Sequence, residues 1–192
     1  IFIAGAGVQW LRDKLNFFKK ASETENIVKS LKDNKGVYLV PAFTGLGAPY
    51  WDANARGVLS GLTRDTGPKE IIRATIESVA YQTYDLFEAM KHDGLRPKLV
   101  KVDGGMVMNN WFSQFLSNVV DIKVLRPKVQ ETTALGAAFM AGLQIGIYKS
   151  LKDISKNWHL DRNFTPKINS KVRNSLVKGW SAAIKKTLTN TI

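Results

Sequence analysis

Between Lys98 and Pro127 the chain runs from a short apolar stretch, KLVKV, through two adjacent glycines into an amphipathic stretch, then into IKVLRP. Short apolar runs of this kind suit strands, while apolar residues recurring every three or four positions suit a helix. The alternation also holds upstream. GVYLVPAF predicts a buried strand ended by Pro41, because proline cannot donate to a sheet ladder. GVLSGLTRD predicts a short strand or hairpin element, and Pro68 to about Met90 a strong helix. Strands alternating with helices make a layered α/β domain the expected fold class.

The helix from Pro68 carries its own punctuation. Gly67 suits the N-cap, Pro68 the first position, and Glu70 the positive end of the helix dipole. Ile72, Thr75, Val79, Thr83, Leu86 and Met90 form its expected buried stripe. Trp10, Leu11, Leu15 and Phe18 predict a helix over Gln9 to Lys20. Ser22 with Glu25 predicts a capping box, opening a second helix that stops near Gly36. Downstream, Trp111, Phe115, Leu116 and Val119 supply the inward face of a helix over Asn110 to Val120. TTALGAAFMAGLQIG predicts a helix whose Gly136, Ala137, Ala138 and Ala141 permit close approach. From Lys171 the tail is amphipathic, with Val172, Leu176, Trp180, Ile184 and Leu188 on one side.

Composition removes several function classes. The 192 residues suffice for one good-sized core. No apolar run approaches the ~20 residues needed to span a bilayer. With no cysteine there is neither a disulfide nor thiolate chemistry, which fits the cytosol. Lysine and arginine outnumber aspartate and glutamate by 28 to 16, for a net +12. These cations are scattered among acids and form no block interleaved with aromatics, a pattern of solvated helix faces rather than a nucleic-acid surface. The opening IFIAGAG reads as a strand entered partway along and then a turn, so the chain is expected to be a fragment of a longer protein.

Three glycine turns, AGAG, FTGLGAP and VDGG, stand beside expected strand ends. Open α/β sheets bind ligands at such ends, and glycine lets a ligand approach the backbone. None has the Gly-Lys-Ser/Thr of a phosphate loop or the G-x-G-x-x-G dinucleotide spacing, so each alone is explained as a turn. In VDGGMVMNN, Asp103 ends the strand, Gly104 and Gly105 turn the chain, and Asn109 or Asn110 caps the next helix. The same amide could donate to a phosphate or accept from a base or ribose. TGLGAPYWDANARG, with Tyr50, Trp51, Asp52 and Arg56, is long enough for a functional or docked loop. His92 and His159 are far apart without ligand spacing, and no Ser-His-Asp pattern assembles. Asp52, Asp103 and Glu77 are open to acid/base roles or to plain polar contacts.

Taken in order, PAFTGLGAPYWD, GLTRDTGPKEIIRATIESVAYQT, VDGGMVMNN and ETTALGAAFMAGL resemble the C-terminal half of bacterial glycerol kinases, within the FGGY carbohydrate kinases. Gly57, Leu59, Gly61 and Leu62, then Glu70, Ile71, Ala74, Thr75, Ile76 and Glu77, match that family's second signature. The likeness runs through nearly the whole chain and weakens after about residue 150. It implies an actin-like, ribonuclease-H-like ATPase fold of two domains closing over a cleft. Residues 1–192 would supply most of the second, ATP-binding domain, without its N-terminal part and without the glycerol-binding first domain.

By position, the resemblance implies that Gly5, Gln9, Gly105 and Asn109 contact the nucleotide, with TTALGAA packed near the adenosine side as support. The implied reaction is ATP with glycerol giving sn-glycerol 3-phosphate and ADP, with Mg²⁺, in the cytoplasm. The base is expected to be an aspartate preceding this chain, so no catalytic or metal-ligating residue is assigned within it. The chain alone is then expected to be inactive. The resemblance also implies a homodimer or homotetramer, in which Thr44 to Arg56 and the basic tail either meet a neighbour or cover the core. Two alternatives stand beside this: an FGGY kinase acting on xylulose or gluconate, and a non-catalytic actin-like interaction module. The glycerol-type segment PAFTGLGAPYWD disfavours the first.

Overall fold

The computed structural model describes residues 1–189, in which several elements pack around one long helix. In chain order the elements are α1 (Gly5–Asp13), α2 (Glu23–Lys29), β1 (Tyr38–Val40), β2 (Val58–Ser60) and α3 (Pro68–His92). They continue with β3 (Leu99–Lys101), a 3-10 turn (Gly105–Met108), α4 (Asn110–Val120), β4 (Lys123–Pro127), α5 (Thr132–Gln144), α6 (Leu151–Ser155), β5 (Leu160–Phe164) and α7 (Ser170–Thr187). β3 and β4 are parallel and joined through α4, the βαβ unit that the alternation from Lys98 to Pro127 anticipates. β5 adds antiparallel to β4, and β1 and β2 form a separate antiparallel pair.

α3 is 25 residues long, roughly 37 Å at 1.5 Å per residue. Its start follows the sequence punctuation: Pro68 is the first residue, and the Glu70 carboxylate accepts from the Gly67 N–H at 2.9 Å. The expected one-sided stripe is too simple. Every residue from Ile72 to Tyr81 is buried, because α1, α2, α4 and β1 surround this half of the helix. Thr83 and Leu86 are only half-buried and Met90 is exposed, since the far end leaves the core. Such encirclement forces polar groups inside to pair. Glu77 accepts from Arg73 and Asn34, each at 2.7 Å, while Arg73 donates to the Leu31 carbonyl.

α7 closes the other side through Trp180, which is fully buried and stacks on Tyr81 at 5.3 Å between ring centres. Ile184 is buried with it, Leu176 and Leu188 pack partly against the core, and Val172 is exposed.

Several local expectations need correction. Ile1 to Ile3 form no strand, and AGAG is not a turn at a strand end; Gly5 and Gly7 lie in the first turn of α1. Without a Cβ on Gly7, α1 can lie close on Thr75 of α3. α1 ends at Asp13 rather than Lys20, and Asn16 turns the chain with φ 55°. Phe18 still reaches the core, whereas Leu15 stays exposed.

The Ser22–Glu25 capping box does not form. Ser22 makes no side-chain cap bond, and Glu23 instead accepts from the Lys20 N–H. α2 stops at Lys29, well short of Gly36, because Arg73 and Glu77 engage residues 31 and 34 from α3. α5 forms as expected, but a Cβ on Gly136 would point into open space, and the close approach falls instead at Gly142, against Tyr148.

Candidate functional site

One cavity of about 450 Å³ opens between α1, α2 and the 3-10 turn, with Ile76 of α3 beneath. Gly5, Gln9, Gly105 and Asn109 all line it, although they come from two distant parts of the sequence. Val8, Met106 and Met108 supply apolar wall, and Arg12, Ser22, Thr24 and Glu25 supply polar rim. These rim residues were not anticipated as site residues. Ser22 and Glu25 were visible only as a capping pair, and the contact that redirects Glu25 spans 85 positions.

The two glycines of VDGG differ in what requires them. Gly104 has φ 83°, a left-handed conformation that favours glycine. Gly105 has no such constraint, and a Cβ on it would meet nothing within 4 Å, as is also true of Gly5. Among the described residues, no packing demands glycine at either lining position. Both leave bare backbone facing the cavity.

Asn109, rather than Asn110, caps α4: its Oδ1 accepts from the Phe112 N–H at 2.9 Å. Its Nδ2 leans toward Thr24 Oγ1 at 3.4 Å. With two hydrogens on the nitrogen, the amide can offer the cavity a donor. Both roles open in the sequence remain, because Oδ1 keeps a second lone pair beside the bond from Phe112. Gln9, exposed on α1, has no side-chain hydrogen bond among the described residues, so its amide is free to turn either end to a ligand.

Glu25 ties the two walls together. It accepts from the Asn110 N–H at 3.2 Å and its Nδ2 at 3.3 Å, and pairs with Lys29. Burial works to raise its pKa, but hydrogen bonds from Lys29 and Asn110 outweigh it and hold the carboxyl below its ordinary value. Glu25 is therefore a charged strut at neutral pH.

The other acidic candidates are committed elsewhere. Asp52 is held low first by the Thr189 backbone N–H, with further hydrogen bonds from Ala55 and Asn54, and it clamps its own loop. Burial pushes Glu77 up despite Arg73, in the packed centre of the molecule. The Asp103 carboxylate accepts from the Thr132 hydroxyl at the start of α5. Asp52, Glu77 and Asp103 do not line the 450 Å³ cavity. No motif points to Asp85, a buried carboxyl pushed up to about 6 chiefly by burial, which faces Trp180 and Tyr50. No three His, Asp or Glu side chains are gathered to hold a metal ion among the described residues.

α5 does not line this cavity. Its Thr132, Leu135 and Phe139 border a separate space of about 240 Å³ with Lys101 and Trp158, while Thr132 meets Asp103 beside the VDGG turn. No helix among the described residues is long and apolar enough to cross a membrane.

Residues 1–145 match the C-terminal domain of the FGGY family of carbohydrate kinases. The chain is 54% identical over 186 residues to glycerol kinase 1 of Pseudomonas aeruginosa, covering 97% of this chain and 38% of that protein. It is 50% identical over 190 residues to the glycerol kinase of Gluconobacter oxydans, covering 98% and 37%. Among solved structures, the Plasmodium falciparum glycerol kinase with ADP superposes with a TM-score of 0.85 at 35% identity, over 97% of this chain and 37% of that one. A xylulose kinase from Lactobacillus acidophilus superposes with a TM-score of 0.77 at 24% identity, over 95% and 37%, a likeness of fold alone. The α/β, actin-like sugar-kinase fold expected from the sequence is therefore borne out for this chain. The chain spans less than two fifths of the length of the curated relatives it matches.

Proposed function

The chain belongs to the FGGY family of carbohydrate kinases, and we propose that it forms the ATP-holding domain of a kinase that phosphorylates glycerol to sn-glycerol 3-phosphate. The observation that carries this reading is the meeting of Gly5, Gln9, Gly105 and Asn109 around one cavity. The glycerol kinases at about half identity support glycerol as the acceptor, and the ADP-bound neighbour supports the nucleotide.

In this reading the bare backbones of Gly5 and Gly105 let the nucleotide lie close to both walls. Asn109 donates to one of its acceptor atoms, and Gln9 reaches it from α1. Phosphoryl transfer needs positioning and charge neutralisation more than covalent help from the protein. A glycerol hydroxyl oxygen bonds to the γ-phosphorus as the bond to the departing ADP oxygen breaks, and the hydroxyl proton passes to a base. No residue here is assigned as that base, nor as a ligand to the Mg²⁺ that accompanies the phosphates in such reactions. Residues 1–192 are assigned to the ATP-binding domain, and the glycerol-binding domain to the remainder of the parent protein. A cytoplasmic location and assembly as a homodimer or homotetramer belong to the same proposal.

Calorimetric titration of the purified chain with ADP tests the reading. Saturable one-to-one binding that protects residues 5–9 and 105–109 from amide exchange is the expected result, without glycerol phosphorylation by the chain alone. Absence of saturable binding at millimolar ADP overturns the nucleotide site. Turnover by the isolated chain overturns the assignment of the base elsewhere.

A further inference from the structure

Resting on the nucleotide reading of the cavity, the geometry points to Arg126 of β4 as a positioning residue that holds the 3-10 turn, and with it Gly105 and Asn109, in register with α1. Arg126 does not line the cavity, and only 5% of it is exposed. A guanidinium has five N–H donors in a rigid fork, and a buried one must place them well. Here Nη1 donates to the Val107 carbonyl at 2.8 Å and the Met108 carbonyl at 3.3 Å. Nη2 donates to Asn110 Oδ1 at 3.2 Å, while Nε and Nη2 both reach Asp161 of β5 at 2.7 Å. Thus Arg126 grips main-chain carbonyls on the turn side and is itself gripped by a carboxylate on the sheet side.

The turn is held from the opposite wall as well. Glu25 of α2 takes the Asn110 N–H and amide, and Thr24 meets Asn109. Asn110 is therefore strung between Glu25 and two arginines, since Arg162 also donates to its Oδ1 at 3.0 Å. A four-residue 3-10 turn has few bonds of its own. Its register against α1 is set by these outside partners, with Arg126 contributing the most contacts.

The test compares Arg126→Lys and Asp161→Asn with the unmutated chain by ADP titration, thermal unfolding and amide exchange. Lysine keeps the charge but cannot span both carbonyls, Asn110 and Asp161 at once. The expected result for Arg126→Lys is about tenfold weaker ADP binding with faster exchange concentrated at residues 104–110, beyond any general loss of stability. Asp161→Asn frees the fork from its sheet anchor while leaving the turn's own residues intact, and is expected to weaken binding about threefold. If Arg126→Lys does not fold, Asp161→Asn decides. Unchanged ADP affinity in every variant that folds overturns the inference. If the unmutated chain binds no ADP, the nucleotide reading falls by itself, and exchange then decides: faster exchange at 104–110 upholds the brace, and unchanged exchange overturns it.

Discussion

Two glycine-rich segments, Thr44–Arg56 and Asp103–Asn110, look alike as sequence and are built in opposite ways. The first is closed chiefly by its own bonds, with a tie to Asp52 from Thr189. Leu46 N–H donates to the Asp52 carbonyl at 2.7 Å, and Asp52 Oδ1 accepts from Asn54 and Ala55 at 3.0 Å. A Cβ on Gly45 would strike Ala53 Cα and the Asp52 carbonyl at 2.8 Å, and φ there is 91°. The second segment is open where the cavity lies and held by residues far away in sequence. Glycine in the first is required by the fold, whereas at Gly105 only a visitor would notice a side chain.

The sharpest way to break this contrast is to add one methyl group to each segment. Gly45→Ala is expected to cost about 3 kcal/mol or more in urea-unfolding stability, from backbone overlap added to the positive φ. Gly105→Ala is expected to leave stability within about 0.5 kcal/mol while weakening ADP binding about tenfold. Equal stability losses in the two variants would show that openness at Gly105 has another purpose in the fold.

The closed loop is also pinned at a titratable point, because Tyr50 faces buried Asp85, which accepts from Trp180 Nε1 at 2.7 Å. Burial raises the Asp85 carboxyl from 3.8 to about 6. A carboxyl raised on folding binds its proton more tightly in the native state, so its contribution to stability falls as pH rises from about 4 through 6. Above that range the loss is complete. Asp85→Asn removes the titration, so the stability of the variant relative to the unmutated chain should climb across this window, by at most about 3 kcal/mol. Urea unfolding at several pH values checks it; a flat difference would mean that the Trp180 and Tyr50 hydrogen bonds already offset the desolvation.

How much of this was legible in sequence follows from where the determining contacts lie. The start of α3 was readable because Gly67, Pro68 and Glu70 act within one turn, and α4 was readable because its apolar period is unbroken. The encirclement of α3 was not, since four separate elements make it. The early ends of α1 and α2 depend on Asn16 adopting a positive φ and on α3 claiming Leu31 and Asn34, neither of which a local pattern announces. β5 was missed because four of its five residues are exposed and carry no apolar alternation. The four lining residues came from family resemblance rather than from periodicity. Their convergence needed the fold, and the roles of Glu25 and Arg126 needed the contacts.

Asn109 offers the finest cut between the two segments, because one side chain both caps α4 and faces the cavity. Asn109→Ser should separate these duties. Serine caps helices about as well as asparagine, so the bond from the Phe112 N–H survives and stability should move by less than about 0.5 kcal/mol. The hydroxyl is shorter and cannot present the Nδ2 donor, so ADP affinity should fall about fivefold, near the ~1 kcal/mol net worth of one hydrogen bond. Asn109→Ala loses both duties and should add about 1 kcal/mol of destabilisation to the same loss of affinity. Serine binding as tightly as asparagine would leave Asn109 a helix cap that only happens to border the cavity. The contact would then rest on Gly105, and the open segment would differ from the closed one by its bare backbone alone.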